Sequence, residues 1–488
     1  MGLPLRAFHQ RVVLASIVVH AATAWFSTGW YGDDEHYQVI AFAQQRMGEL
    51  PAHELAWEFD ARIRSAFLPS ITYGMVHLCR TIAITDPFVI TFGLRLITAL
   101  CALLVVHFFV RSVLPQVSGP LQRPYVLLAY FLWFLPYQHV RFAADSWGGL
   151  LLLAGITALL NDGRNKRAGL FAGILFGLAV QVKPAVGVAC VGMVLWWLAN
   201  GDRRAARAAQ LVLGLLAALI GGGLLDAWFY GRPSPVLLNY LHMAITGSGP
   251  LPLGTYPWFY YVPWIIKYAI WPIGALILVA LLLLTWRSPR SWPVWTVWPY
   301  LLVLSLVPHK EVRFLFPLVD LVPVVLVLAW QALPEGRAKR TLASHAVLVP
   351  LVVINLCALL VAGITAAGTG RTRLAGALRH EHVPGPTTIG YALDEVGIWK
   401  IRIPSFYLPT NMTDIGSWRS GSDNTAPTFL IAPLPDPRMS NPAATAPAGY
   451  KRIASTGPSW VEPLFWLYNP DRPPPYLLYV RSSRIGTP

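Results

Sequence analysis

Long apolar runs recur along this chain, separated by short polar intervals. A helix needs about 20 mostly apolar residues to cross a bilayer, because backbone polar groups in hydrocarbon have to be satisfied within the segment. Runs of this kind lie near 10–29, 87–111, 122–138, 146–160, 168–182, 184–199, 208–225, 263–286, 292–307, 314–333 and 342–366. They predict a polytopic α-helical membrane protein with about 11 transmembrane helices. Segment 66–84 is also apolar but carries Pro69 early and His77 and Arg80 late, so it reads as a helix lying at the interface. The first run follows Arg6 and Arg11 without a small-residue cleavage site and reads as a retained span. Beyond it the chain divides into a membrane domain, 1–366, and a C-terminal domain, 367–488. The latter is rich in Pro, Ser, Thr and Asn, and TTIGYAL, TFLIAP and YLLYV read as short strands of a small α/β or mostly β domain outside the membrane.

Composition agrees with this pattern. The chain is 55% hydrophobic and only 12% charged, outside the range of soluble globular proteins. Many of its 20 Trp and 19 Tyr flank the apolar runs, as interfacial side chains do. The net charge of +15 does not point to nucleic acid, because the basic residues form short clusters between apolar runs. These clusters are Arg6/Arg11, Arg111/Arg123, Arg164/Lys166/Arg167, Arg203/Arg204/Arg207, Arg287/Arg290 and Arg337/Lys339/Arg340. The positive-inside rule puts all of them in the cytoplasm, with the N-terminus inside and the C-terminus outside. A crossing by 66–84 would invert the later loops against that rule. Cys79, Cys101, Cys190 and Cys357 lie in apolar stretches without metal-like spacing and read as inert core residues.

This topology gathers the unusual polar residues on the outer face, in a long loop at 31–86, turns at 139–145 and near Lys183, a loop at 226–262 and a turn at 308–313. Immediately after the first span comes Asp33-Asp34-Glu35-His36-Tyr37-Gln38. Its acids either cap the following helix or supply a carboxylate that takes a proton from an acceptor hydroxyl at the bilayer surface. Pro308-His309-Lys310-Glu311-Val312-Arg313 crowds ionisable residues between two apolar runs. Snorkelling would explain one Lys, but the whole cluster suits a site that holds a lipid phosphate and stabilises charge as a glycosidic bond breaks. Arg141, near His139 and Asp145, and Lys183 are further cations on this face, each also readable as an interfacial anchor. In the 226–262 loop, Asp226, Tyr256, Trp258 and Tyr260 are candidates for binding a sugar or acceptor, the rings by stacking, although an aromatic belt would explain much of the loop.

Taken together, these segments resemble the mannosyltransferases of glycosyltransferase family 22, which belong to the GT-C membrane glycosyltransferases. His309-Lys310-Glu311-x-Arg313-Phe314-x-x-Pro317 is similar to the family's most specific motif. Asp34-Glu35-His36-Tyr37-Gln38, Asp226 to Gly231, Asn239 to Leu241, Gly254 to Tyr260, and Arg64-Ser65 before Pro69 resemble other family segments. Gly32 and Asp33 stand where the family commonly has His-Pro, and Arg141 to Gly149 lacks a glutamate often found there. The resemblance implies a GT-C fold with interfacial helices after the first span, and an inverting transfer of mannose from a polyprenyl-phosphate carrier to a glycan or glycolipid. Asp34 would be the catalytic base. His309, Lys310, Arg313, Arg141 and Lys183 would meet the donor phosphate. Glu35, His36, Gln38, Asp226, Tyr256, Trp258, Tyr260 and Glu311 would line the acceptor or sugar site.

A phosphate monoester leaving group lets fixed cations stand in for a metal, so no obligatory metal or other cofactor is expected beyond the lipid-phosphate sugar that serves as donor substrate. The expected partners are membrane lipids, that donor and the acceptor, with no nucleic acid. A transporter or flippase would place charges near the midplane of repeated halves, and a glycan ligase would draw on a diphosphate lipid. A glycosidase fits poorly, since Asp34 and Glu35 are adjacent. Short loops and an Ala/Arg-rich composition favour a bacterial inner membrane, with the endoplasmic reticulum as alternative and the active site extracytoplasmic or lumenal.

Overall fold

The computed structural model describes residues 3–163, 165–200, 204–246, 254–381, 383, 385–418, 426–434, 449–457 and 475–482. Arg164, Arg203 and positions 247–253 of the 226–262 loop lie outside the described residues. The chain forms two compact units: residues 1–26, 32–85 and 89–364 make the first, and 27–31, 86–88 and 365–488 the second.

In the first unit every expected apolar run coincides with a helix or a broken helix. Among the described residues, four helical stretches are long and apolar enough to cross a membrane: Pro87–Gln116, Ala205–Tyr230, Val312–Ala332 and His345–Ile364. The pair Ile273–Arg287 and Trp292–Leu306 is bent by 119° across the turn bearing Arg290. The run 122–138 breaks into Gly119–Phe131 and Phe134–His139, because Leu132 turns to an extended conformation. A break among apolar helices leaves backbone groups that need partners. Asn355 supplies them: its side chain donates to the Phe131 carbonyl at 2.8 Å and accepts from the Trp133 N–H at 2.9 Å.

Close helix approach depends on small residues. On the helix Ala168–Val182, Gly169, Gly173 and Gly177 form a stripe that faces the helix Arg204–Tyr230; a Cβ on Gly173 would lie 2.1 Å from the Leu211 carbonyl oxygen. Likewise Gly149, in the helix Ala144–Leu160, lets the backbone of Pro317 approach, where an added Cβ would be 2.7 Å away. Pro317 belongs to the tight 3-10 segment Val312–Leu321. A buried polar chain ties that segment down: Asp320 hydrogen-bonds His139 at 2.7 Å, and His139 meets His20 of the first helix at 3.0 Å.

The first outer segment folds as a wide π-helical turn at His36–Ile40, continues into Ala41–Arg46, forms a short helix at Glu58–Ala61 and ends in Phe67–Thr81. The last helix covers the segment expected at the interface and is amphipathic, burying Leu68, Thr72 and Val76 while exposing Leu78. The cysteine expectation needs one correction. Cys79 and Cys190 are buried, but Cys357 is exposed on the helix His345–Ile364, whose sides are apolar nearly all round and therefore bury no single stripe.

The second unit holds a five-stranded sheet of order β2-β1-β3-β5-β4. Strand β1 (Thr387–Tyr391) pairs in parallel with β2 (Met412–Ser417) and β3 (Phe429–Pro433). Strand β5 (Tyr476–Arg481) runs antiparallel to both β3 and β4 (Tyr450–Ser455). The three strands read from sequence are the inner ones, whereas the edge strands β2 and β4 carry many exposed residues and gave no apolar signal. Ile389, Tyr391, Phe429 and Leu478 form a core with Leu374 and Leu378 of the helix Arg371–His380. Trp30 and Phe88, contributed by the two short pieces from earlier in the chain, both lie against Tyr407.

Candidate active site

The turn after the first helix is closed by its own backbone and one side chain. Glu35 N–H donates to the Gly32 carbonyl at 3.0 Å, and the Gly32 N–H donates to the Glu35 carboxylate at 3.3 Å. This leaves Asp34 to meet Arg313 at 2.5 Å. Gly32 makes the room: a Cβ there would be 3.3 Å from both Cδ and Nη1 of Arg313. The space beside Gly32 is thus filled by an arginine 281 residues later in the chain.

From Arg313 a chain of polar contacts runs both ways. Its guanidinium donates to both oxygens of Glu311, at 2.5 and 2.9 Å, and Glu311 meets His309 at 2.9 Å. In the other direction Asp34 faces Arg64 at 4.0 Å, Arg64 reaches Glu58 at 3.8 Å, and Gln38 donates to Glu58 at 2.9 Å. Burial alone would push the Asp34 carboxyl up, but the Arg313 and Arg64 guanidiniums outweigh it and hold the group below its ordinary value. Glu311 is depressed for the same reason: burial opposes ionisation, and the bonds from Arg313 and His309 prevail. Glu58 shows the opposite balance, with burial raising it despite Arg64.

Of these groups Asp34, Gln38, Arg64 and Arg313 line a cleft together with Glu35, Ser65, Asp145 and Lys183, with Phe67, Leu68 and Phe316 as apolar walls, whereas Glu58, His309 and Glu311 are not in its lining. Lys183 pairs with Asp145 at 2.6 Å, and its ammonium lies 5.0 Å from the centre of the Phe314 ring. A cleft with three cations, several carboxylates and an apolar wall can receive an anionic group attached to a hydrocarbon chain while keeping a carboxylate at hand for a hydroxyl. Among the described residues no three His, Cys, Asp or Glu side chains gather as a metal site.

Other expected site residues lie elsewhere. Lys310 is 2% exposed, and its ammonium donates to the carbonyls of Tyr256 at 3.1 Å and Val307 at 2.5 Å, so it fastens the 254–257 segment to the turn and does not line the cleft. Arg141 is 1% exposed and lies over the Tyr137 ring, and His36 is likewise buried, beside Tyr37. Asp226 is 1% exposed, and its carboxylate is taken up by the Ala66 N–H and Ser65 hydroxyl. Tyr256, Tyr260, Trp264 and Tyr268 form a ladder of rings 4.8 to 5.5 Å apart, with Trp258 exposed next to it, and none of them lines the cleft.

Sequence reading passed over Glu58, noted Arg64-Ser65 as a family resemblance without giving it a role in the site, and named Asp145 only beside His139 and Arg141. An arginine and a serine just before an amphipathic helix look like an ordinary helix entry. Asp145 in the first turn of Ala144–Leu160 looks like a favourable dipole partner. The available signal was sidedness, since all of them fall on the segments assigned outside.

The model of the Alg9-like mannosyltransferase family matches residues 12–379. GPI mannosyltransferase 3 of Yarrowia lipolytica is 23% identical over 360 residues, which is 69% of this chain and 64% of that protein. Alpha-1,2-mannosyltransferase ALG9 of Saccharomyces cerevisiae is 31% identical over 110 residues, 22% of this chain and 19% of that protein. The chain thus spans less than two thirds of the length of these curated relatives. Among solved structures, ArnT from Cupriavidus metallidurans in the apo state superposes with a TM-score of 0.56 at 13% identity, covering 98% of each chain. The same protein bound to undecaprenyl phosphate gives 0.54 at 12% identity. At such identity the likeness concerns the fold, which is that of a GT-C membrane glycosyltransferase.

Proposed function

Because the chain belongs to the Alg9-like mannosyltransferase family and is therefore a membrane glycosyltransferase, we propose that it moves mannose, with inversion, from a polyprenyl-phosphate carrier to a hydroxyl of a glycan or glycolipid. The observation that carries this reading is the 2.5 Å pair between Asp34 and Arg313, which sets a carboxylate beside a cation suited to a phosphate in one cleft. In the reaction the acceptor O–H proton passes to an Asp34 carboxylate oxygen. The acceptor oxygen bonds to the anomeric carbon as the bond from that carbon to the phosphate oxygen breaks. The departing phosphate monoester gains charge, which Arg313, Lys183 and Arg64 stabilise.

The ion pairs of the cleft fit this sequence. A phosphate entering next to Arg313 competes with Asp34 for the guanidinium, and a carboxylate relieved of its cation becomes a stronger base. The apolar wall of Phe67, Leu68 and Phe316 suits the first isoprene units of the carrier. The relatives are named as GPI and Alg9-type mannosyltransferases, which supports mannose as the sugar, and ArnT bound to undecaprenyl phosphate supports a polyprenyl carrier. The transfer belongs on the extracytoplasmic or lumenal face, where the charge rule puts the segments bearing Asp34 and Arg313. A bacterial inner membrane remains our expectation, with the endoplasmic reticulum, suggested by the eukaryotic relatives, as the other compartment.

The test is turnover by purified protein supplied with polyprenyl-phosphate mannose, or with its diphosphate counterpart, and a panel of glycan and glycolipid acceptors. Asp34→Asn lowers kcat by about 10²-fold or more, the usual scale for loss of a general base. Equal turnover by wild type and variant removes Asp34 from the mechanism, and product only from the diphosphate donor refutes the carrier.

A further inference from the structure

Beside the cleft, side chains from the second half of the unit converge on the backbone of residues 61–66. Oδ1 of Asp226 accepts from the Ala66 N–H at 2.7 Å and from the Ser65 hydroxyl at 3.3 Å. The Tyr230 hydroxyl donates to the Arg64 carbonyl at 2.7 Å, and its ring leans on Phe59. The Asn239 amide donates to the carbonyls of Ala61 and Arg62, at 3.4 and 3.2 Å. Arg62 adopts the left-handed conformation, with φ of 48°, that ends the helix Glu58–Ala61. A non-glycine residue is held there only when its surroundings fix it. Between these anchors Arg64 extends to Asp34 and Glu58.

We infer that Asp226, Tyr230 and Asn239 form a backbone clamp whose purpose is to set Arg64 beside Asp34, which makes Asp226 a positioning residue and not a sugar ligand. Its burial leaves no path for a sugar hydroxyl, and both close contacts of its carboxylate are donors from the 65–66 backbone turn. The clamp needs an acceptor oxygen and no charge. Among the described residues Oδ2 accepts from Gln181 alone, whose Nε2 is 3.5 Å away, and the Gln181 Oε1 has no hydrogen-bond partner. Gly222 leaves the space in which this glutamine lies, since a Cβ there would fall 2.1 Å from its Nε2. An asparagine at 226 therefore keeps the Oδ1 contacts, and Gln181 accommodates the new amide by turning its own amide over. Alanine leaves the buried Ala66 N–H without its acceptor, and an unsatisfied group of this kind drives the backbone to move.

The consequence for activity rests on Asp34 acting as the base. The test compares Asp226→Asn, Asp226→Ala, Tyr230→Phe and Arg64→Gln in the full-length protein, reconstituted with polyprenyl-phosphate mannose and acceptor, by kcat/KM across pH. Asp226→Asn stays within about twofold of wild type, whereas Asp226→Ala falls by about 10²-fold, the scale of a misplacement near 1 Å. Arg64 stabilises the Asp34 carboxylate, so withdrawing it raises that group in the free enzyme, and the acid limb of kcat/KM moves to higher pH. Asp226→Ala and Arg64→Gln share this displacement, and Tyr230→Phe, which keeps its ring, shows a smaller one. Asp226→Asn as damaged as Asp226→Ala overturns the clamp, and so does a loss in Asp226→Ala with the limb unmoved. Failure of the functional reading shows separately, as an unimpaired Asp34→Asn. The clamp is then judged on thermal unfolding, where Asp226→Asn melts with the wild type and Asp226→Ala below it, and equal melting of the two overturns it.

Discussion

Replacing Arg313 with glutamine takes away a guanidinium that touches Asp34 at 2.5 Å and Glu311 at 2.5 and 2.9 Å. Its side chain is 13% exposed, against 29% for Asp34 and 36% for Glu311, so the contacts are partly screened. At an effective dielectric near 20, a unit charge about 4 Å from a developing phosphate charge contributes about 4 kcal/mol. Discounting for the exposed rim leaves about 3 kcal/mol, or roughly 10²-fold in rate. The substitution also frees Asp34 from its strongest cation. The carboxyl rises, and the acid limb of kcat/KM moves to higher pH. Arg313→Lys keeps a charge but loses the fork that spans two carboxylates, so it retains about a tenth of wild-type activity. Steady-state kinetics of Arg313→Gln, Asp34→Asn and the double variant complete a thermodynamic cycle. Because the two groups touch, the double variant is much less impaired than the product of the single losses. Near-wild-type turnover in Arg313→Gln would refute the reasoning, as would strict multiplicativity in the cycle.

Two further substitutions separate placement from chemistry. Lys310→Met removes an ammonium spent on the Tyr256 and Val307 carbonyls; it should destabilise the protein by about 2 kcal/mol in denaturant titration while leaving the KM for the lipid donor within about threefold. A tenfold rise in donor KM with stability intact would return Lys310 to the phosphate site. Gly149→Ala drives a Cβ against the Pro317 backbone, where overpacking costs about 1–3 kcal/mol, and shifts the segment that carries Arg313. Both the melting temperature and kcat fall, and a fall in melting temperature with kcat unchanged means that the shift does not reach Arg313.

The apolar runs located the helices but not always their ends, because in a membrane protein each run has to satisfy its own backbone; the first helix, Leu3–Phe26, begins seven residues before its run. The run 168–182, by contrast, is the helix Ala168–Val182. The interruptions were less legible. The break between Phe131 and Phe134 depends on an asparagine some 220 residues later, and nothing in the local sequence announces that partner. The inner strands were readable from their apolar runs, while β2 and β4, half open to solvent, were not.

In the site, sequence brought forward Asp34 and Arg313, since ionisable residues at span ends are conspicuous, and the positive-inside pattern put them on one face. Residue type was set at that level, and the charge pattern supplied an expectation of sidedness. Which charges meet was decided by packing: Gly32 and Gly149 let the Arg313 segment come close, Lys310 was drawn onto carbonyls, and Asp226 was used up in holding a neighbouring turn. A side chain's chemistry is local and can be read along the chain, but its partner is set by distances of a few ångströms between segments hundreds of residues apart, and these exist only once the helices have packed.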